Sequence, residues 1–455
     1  MSYSSNVKIH ELEPIYYSAN QRAEWRLPPN SIFTTNLVLC NIGVTKSANQ
    51  ANYSQCAGVY GMIRSISLFD GNVELTSLQN AHLWAGWRQF THSNQYNESI
   101  GSYYAGNLVS NEFGARDLSE LATGTGANAS ISGARIVRGS IRAFATNTTE
   151  DTTYKGTMKM AEVLDLLSNM PYIDTSVFKN FRIVIEYHST TDISLNSQYI
   201  EKSNPASITT TRPFLVCEEM LGENAEAVMG KVQPIEYIVI EQDIADLEAV
   251  APDVTGTRVA DTATPLQQKT YHISGFNNKT VEKMLIWKQP VNPANIQLAT
   301  ANNGRDVGWG VYNSMAFLGE KVQIRVNGRN IWARSGLDRP NQRLAACVDA
   351  WTDYGSLATF ANGLSPQTPD ANTRSLHIKA DGNQDLGVQD FIGVDIGLEK
   401  VQDLQIDFER RGFFAQDATQ TNQSKYNTQY NIRIFAEVRK MIVPKAGGGY
   451  DVRYA

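Results

Sequence analysis

The run Asn431-Ile432-Arg433-Ile434-Phe435-Ala436-Glu437-Val438-Arg439 places Ile432, Ile434, Ala436 and Val438 on one side of an extended chain. A β-strand, with its side-chain period of two, gives such a segment a coherent buried face. The pattern returns in Phe181-Arg182-Ile183-Val184-Ile185-Glu186-Tyr187, interrupted only at Val184, and Ile235-Glu236-Tyr237-Ile238-Val239-Ile240 is a further β-branched and aromatic run. Strands of this kind must pair and bury their apolar faces against another layer, which predicts β-sandwiches. The chain has 455 residues, 42% of them hydrophobic. Sandwiches run to about 200 residues as one domain, so two large ones fill it.

Polar stretches rich in Asn, Thr, Ser, Gly and Ala separate the strands, at 119–133, 189–212, 292–308 and 361–384. Loops of this length are uncommon in compact domains unless they have a task, and antiparallel sandwiches carry function on such loops. Few helices are predicted. Met160, Val163, Leu164 and Leu167 have helical spacing, with Pro171 as the stop. Leu83, Trp87 and Phe90 line a second helix, and Leu344, Val348 and Trp351 a third.

The last two helices point to an internal duplication. Ser65 to Phe69 meets Asp70-Gly71, a hairpin signal, then Val73-Glu74-Leu75 and the helix from Asn80 to Phe90. About 260 residues later, Val322 to Val326 meets Asn327-Gly328, then Asn330-Ile331-Trp332 and the helix from Asn341 to Trp351. The strands 181–187 and 431–439 are roughly 250 residues apart and are taken as equivalents in the same duplication. Coincidence is the plain alternative, because Asx-Gly hairpins are common and Leu/Ala-rich helices resemble one another. The expected organisation is an N-terminal arm over 1–19, a first sandwich over 20–248, a Pro/Gly/Thr-containing linker over 249–267, a second sandwich over 268–443 and a flexible C-terminal arm over 444–455.

The sequence offers little reactive chemistry. Net charge is −6, which argues against a surface dominated by phosphate contacts. Cys40, Cys56, Cys217 and Cys347 are far apart with no CxxC spacing, and are read as reduced, mostly buried thiols. His10, His82, His92, His188, His272 and His377 show no ligand spacing, and His82 is read as packing or capping its helix. There is no phosphate-binding glycine loop and no nucleophile elbow. The acidic pairs Asp243/Asp246 and Glu218/Glu219 could serve a glycosidase only if brought across a cleft, and otherwise are surface charge. Arg410-Arg411 beside Phe408, Phe413 and Phe414 reads as a base-stacking patch or, more simply, as a strand end at an interface. Trp87 and Trp351 lie on apolar helix faces and are expected in the core. The start, Met1-Ser2-Tyr3-Ser4-Ser5-Asn6, lacks the basic-then-apolar order of a secretory signal. No catalytic, cofactor-binding or metal-ligating residue is assigned, and no cofactor is expected.

The order of motifs resembles that of double-jelly-roll major capsid proteins of double-stranded DNA viruses: polinton-like viruses, virophages and the large eukaryotic DNA viruses. Ser65 to Leu75 with the following Trp84/Trp87 helix resembles part of the first jelly roll in those proteins. Leu164-Asp165-Leu166-Leu167 to Pro171, then Phe181 to Tyr187, resembles the helix and late strand that close it. Gly275 to Ile286 resembles the opening of the second, and Val322 to Ile331 its strand with an Asn-Gly turn. A Pro-Ser-Gly-type motif of the large-virus proteins is absent after that strand and helix.

The resemblance implies an all-β fold of two consecutive eight-stranded antiparallel jelly rolls with a few short helices in loops. It also implies a structural, non-enzymatic role in the virion: a homotrimeric, pseudo-hexameric capsomer that tiles an icosahedral capsid. Its partners would be neighbouring capsomers, penton proteins and minor capsid proteins, with no sequence-specific nucleic-acid binding. The long loops 92–155 and 292–320 or 352–385 would form outward towers or intersubunit contacts. The competing readings are a trimeric spike or tail component, and a β-sandwich glycan-binding protein or glycanase.

Overall fold

In the computed structural model, the described residues are 6–46, 51–53, 57–91, 104, 155–189, 200–202, 208–231, 233–247, 267–290, 314, 320–333, 336–351, 391–410, 430–445 and 449–455. The first half contributes β1 (Val7–Leu12), β2 (Tyr16–Ser18), β3 (Arg22–Arg26), β4 (Ile32–Phe33), β5 (Val38–Lys46), β6 (Ala51–Tyr53), β7 (Ile63–Asp70), β8 (Val73–Gln79), β9 (Lys155–Lys159), β10 (Ile173–Asp174), β11 (Phe181–Tyr187), β12 (Ile200–Lys202), β13 (Ile208–Thr210) and β14 (Phe214–Met220). The second contributes β15 (Ile235–Leu247), β16 (Gln267–His272), β17 (Thr280–Pro290), β18 (Lys321–Val326), β19 (Arg329–Asn330), β20 (Ile392–Lys400), β21 (Leu404–Arg410), β22 (Tyr430–Pro444) and β23 (Tyr450–Tyr454). The helices of eight residues or more among them are α1 (Ala81–Thr91) and, later, Pro340–Trp351.

Pairing is antiparallel throughout and nested. β1 pairs with β14, β3 with β11, β5 with β9, and β7 with β8. In the second half β15 pairs with β22, β16 with β21, β17 with β20, and β18 with β19. The first of eight strands meets the last, the second the seventh, the third the sixth and the fourth the fifth. That nesting is a jelly roll, and it occurs twice. Each half has one sheet ordered β1-β14-β5-β9 or β15-β22-β17-β20, and a second ordered β3-β11-β7-β8 or β16-β21-β18-β19. The chain is therefore all-β, a double jelly roll, as the resemblance implies.

Strand pairing corrects the expected organisation in several places. β1 lies inside the expected N-terminal arm, yet it is the outer strand of the first roll, in register with β14 from Val7–Met220 to Leu12–Leu215. β15 falls inside the expected first sandwich, 20–248, yet it pairs with β22 over all 13 of its residues. The change from one roll to the next thus comes before Ile235. The expected linker, 249–267, lies outside the described residues apart from Gln267. The expected flexible arm, 444–455, contains β23, which pairs with Lys440–Pro444 of β22. The strand equivalent to 181–187 is β21, not 431–439; the latter corresponds to β14.

Local chemistry explains the repeated hairpin. Asn327 and Gly328 both have positive φ, 51° and 77°, as a two-residue hairpin with mirror-image turn geometry requires. In the first roll Asp70 pairs with Val73, so the loop is Gly71-Asn72, one residue later than the sequence signal suggests. Gly71 supplies the positive φ of 60°. Asp70 instead accepts the Asn180 N–H through Oδ1 at 2.8 Å. The helix expected over 160–167 divides into α2 (Met160–Val163) and α3 (Asp165–Asn169). Leu164 between them is extended, which lets Leu164, Leu166 and Leu167 all point into the core. After α4 (Glu223–Val228), the second long helix, Pro340–Trp351, is α5.

Candidate functional site

The stretches expected to form outward towers, within 92–155, 292–320 and 352–385, lie almost wholly outside the described residues. The built feature with the most distinctive chemistry is the seam between the two rolls. It begins with the two faces of one sheet. Met284 and Ile286 of β17, and Ile432, Ile434, Ala436 and Val438 of β22, fill the core of the second roll. The alternate residues Leu285, Trp287 and Phe435 join a cluster continuous with the core of the first roll. Period two thus sends the apolar side chains at the middle of these strands into one core or the other.

Helix α1 lies on that outer face. Trp84 packs on Phe435 at 5.8 Å between ring centroids and on Trp351 of α5 at 5.8 Å. Trp87 meets Trp351 edge to face at 6.0 Å and Phe391 at 4.8 Å; Trp287 meets Phe391 at 4.9 Å. The sequence expectation for Trp87 and Trp351 holds: both are 0% exposed. Helix α5 seats closely because Gly393 of β20 has no side chain; a Cβ there would stand 2.5 Å from Cys347 Cα. Edge-to-face and tilted aromatic pairs contribute roughly 0.5–1.5 kcal/mol each beyond their area burial.

Polar groups flank the aromatic centre. Residues 433, 435 and 437 of β22 share one face: Phe435 packs on Trp84 of α1, while the charge of Arg433 acts on His82 and that of Arg88 on Glu437. His82 and His188 are both buried, with His82 Nδ1 and His188 Nε2 3.1 Å apart. Burial, then the neighbouring His188 and Arg433, hold His82 well below the ordinary imidazole range, against a backbone hydrogen bond at Ile63. Arg433 also donates to Gln289 Oε1 at 3.1 Å and Gln242 Oε1 at 3.4 Å, and Gln242 in turn accepts from Asn80 at 2.8 Å. Glu437 is 1% exposed. Its burial pushes the carboxyl up to about 8, opposed by Lys283 and Arg88 and reinforced by Glu282 and Asp165.

Three further hydrogen bonds cross the seam. Tyr237 of β15 donates to the Leu75 carbonyl, and the Ile238 N–H donates to Asp165 Oδ2 at 2.7 Å. At the same end of β22, Tyr450 of β23 donates to Asp70 Oδ2 at 2.7 Å and its ring packs on Phe178 at 4.9 Å. Away from the seam, Lys288 and Glu320, both 0% exposed, pair at 2.5 Å, with Arg343 Nε 3.8 Å from the same carboxylate. The pair stands where the chain leaves β17 and enters β18, at the root of the 291–319 stretch.

The remaining sequence candidates do not converge. Glu218 and Glu219 are consecutive on β14 and so point to opposite faces. Glu218 accepts from Thr34 and Asn36, and Glu219 pairs with His10 at 2.7 Å. Asp243 accepts the Gly275 N–H at 2.9 Å, and Asp246 is exposed. Phe408 is a core residue of the second roll; Arg411, Phe413 and Phe414 lie outside the described residues. Cys217 and Cys347 are buried free thiols, and burial with Glu219 and Glu218 pushes Cys217 up to about 12. Among the described residues, no group of three or more His, Cys, Asp or Glu is placed to hold a metal. Sequence reasoning missed the His82–His188 contact and the burial of Glu437. Nothing in local spacing marks the first. Nor does it mark the second, because alternation assigns Glu437 to the solvent face.

No protein-family model and no curated protein matches the sequence. Solved structures do match its fold. The mavirus major capsid protein superposes with a TM-score of 0.54 at 10% identity, covering 99% of this chain and 90% of that one. The Faustovirus major capsid protein gives 0.53 at 9% identity, covering 96% and 90%. A chain of the PBCV-1 virus capsid gives 0.52 at 11% identity, covering 100% and 98%. These likenesses extend over both rolls and show a shared double-jelly-roll fold.

Proposed function

We propose that this protein is a major capsid protein: a structural, non-enzymatic subunit of an icosahedral virion. The observation that carries the reading is the tandem of two equally wound jelly rolls, joined through one continuous core, in an arrangement shared end to end with structures described as major capsid proteins. Two similar rolls per chain give three chains six similar corners. A homotrimer of such chains has a pseudo-hexagonal outline, and closed threefold symmetry limits assembly to a discrete capsomer. Capsomers then meet one another, penton proteins and minor capsid proteins through large interfaces of the obligate kind, thousands of Å² in extent. The division of the chain near residue 235 into two units belongs to the same proposal.

The seam suits this role. A capsomer must present its corners at fixed angles, and a buried aromatic contact reinforced by hydrogen-bonded ties resists hinging better than a polar interdomain contact. Size-exclusion chromatography with light scattering, followed by electron microscopy of the expressed chain, tests the reading. Trimers with a hexagonal outline, and shells or sheets built from them, are expected. A monomer that cleaves polysaccharide, or an elongated fibre, would overturn it.

A further inference from the structure

Beside the contact of α1 with β22 lies a pair that the capsid role does not require. His82 belongs to α1 and His188 follows β11, while Arg433 of β22, in the other roll, acts on His82 through its charge. The two imidazoles lie 4.4 Å apart edge to face, with their nearest nitrogens at 3.1 Å. At that distance the two nitrogens share one hydrogen: one ring donates and the other accepts, so the acceptor must be unprotonated. When both rings carry two hydrogens, donor faces donor, and two positive charges stand buried beside a guanidinium that keeps its own at any accessible pH.

We propose that His82 and His188 form an acid-sensitive latch, whose protonation loosens the seam between the two jelly rolls.

The groups that face the latch set the direction. From β22 comes Arg433, whose positive charge opposes protonation of His82. Farther along the seam stand Arg88 of α1, Glu437 of β22, Lys283 and Glu282 of β17, and Asp165 of α3. Glu437, raised to about 8, is already neutral in acid and adds no compensating negative charge there. The folded state holds His82 below its ordinary value of 6.5, so the unfolded or opened state binds more protons. Stability from this group is present above about pH 6.5 and is lost as the pH falls below it. The link to the second roll runs through α1 itself: Trp84, two residues after His82, packs on Phe435 of β22 and on Trp351 of α5.

The seam carries its own reporters, the buried Trp84, Trp87, Trp287 and Trp351. The experiment follows tryptophan emission and hydrogen exchange of segments 81–91 and 430–444 in the full chain from pH 7.5 to 4.5. The wild type, His82→Gln/His188→Gln and Arg433→Gln are compared, with far-ultraviolet circular dichroism as the control for global unfolding. The wild type is expected to show red-shifted emission and faster exchange in both segments while circular dichroism is unchanged. In either variant the midpoint is expected to fall by about one pH unit or more, since each removes charge from the protonated cluster. If the double variant does not fold at neutral pH, Arg433→Gln alone decides. A wild type with no seam transition above pH 4.5, or a midpoint that neither variant moves, overturns the latch. The test uses the subunit itself, so it stands or falls separately from shell assembly.

Discussion

Tyr450 Oη donates a 2.7 Å hydrogen bond to Asp70 Oδ2 across 380 residues of sequence, tying the last strand of the second roll to the hairpin of the first. The same ring packs on Phe178, and Val452 packs against the large core. The segment from 450 to 454 is therefore a clasp. Tyr450→Phe keeps the ring and removes the hydroxyl, leaving the Asp70 carboxylate short of a donor. The expected loss is about 1.5–3 kcal/mol, the usual range for a hydrogen bond to a charged group. Urea unfolding would show it as a lower midpoint at unchanged slope. A midpoint equal to that of the wild type would mean the bond contributes nothing in solution.

Trp87 and Trp351 join the two rolls from helices that occupy equivalent places in each. Trp87→Ala is expected to cost about 3–5 kcal/mol, as for other fully buried aromatic truncations. Because the two rings touch, the double variant Trp87→Ala/Trp351→Ala is expected to cost less than the sum of the singles, by about 0.5–3 kcal/mol. Strict additivity in that cycle would show that the helices do not act on each other.

Much of this was legible in the chain. Ile432, Ile434, Ala436 and Val438 were readable as one buried face, and the repeated strand, turn and helix marked a duplication that the nested pairing bears out. The limit came where burial depends on distant chain. Phe435 and Glu437 fall on the face that alternation assigns to solvent, and they are buried because α1 covers that face. The membership of β15 depends on β22, almost 200 residues later, and no local signal reports a partner so remote. The arms at both ends were misjudged for the same reason: short segments such as Val7–Leu12 and Tyr450–Tyr454 are strands only because another strand is waiting for them.

Lys288, Glu320 and Arg343 bury three charges where the 291–319 stretch leaves and rejoins the second roll. Removing one member of a buried pair strands its partner in a low-dielectric site. Lys288→Met is therefore expected to cost about 3–5 kcal/mol. Arg329 pairs with Glu399 in the open, at 67% and 30% side-chain exposure. Arg329→Met is expected to cost no more than about 1 kcal/mol. Thermal unfolding of the two variants side by side checks the contrast, and equal losses would refute the assignment of Lys288 to a structural ion pair.

Glu437 gives the seam an alkaline limit. Its folded-state value, about 8, lies above the ordinary 4.5, so between those values the folded chain binds more protons than the unfolded one. Stability from this group is full below about pH 4.5, declines as the pH rises, and is lost once the folded value is passed. The penalty comes from ionising a carboxyl that is 1% exposed, with Lys283 and Arg88 offsetting only part of it. Glu437→Gln keeps the shape and cannot ionise. The variant is expected to lose less stability than the wild type between pH 6 and 9, by an amount on the order of a few kcal/mol. Denaturant unfolding at a series of pH values checks this. Parallel curves for the two proteins would place the carboxyl in contact with water or in a fully compensated ion pair. A variant less stable than the wild type at pH 9 would mean that the ionised acid, held by Lys283 and Arg88, stabilises the seam.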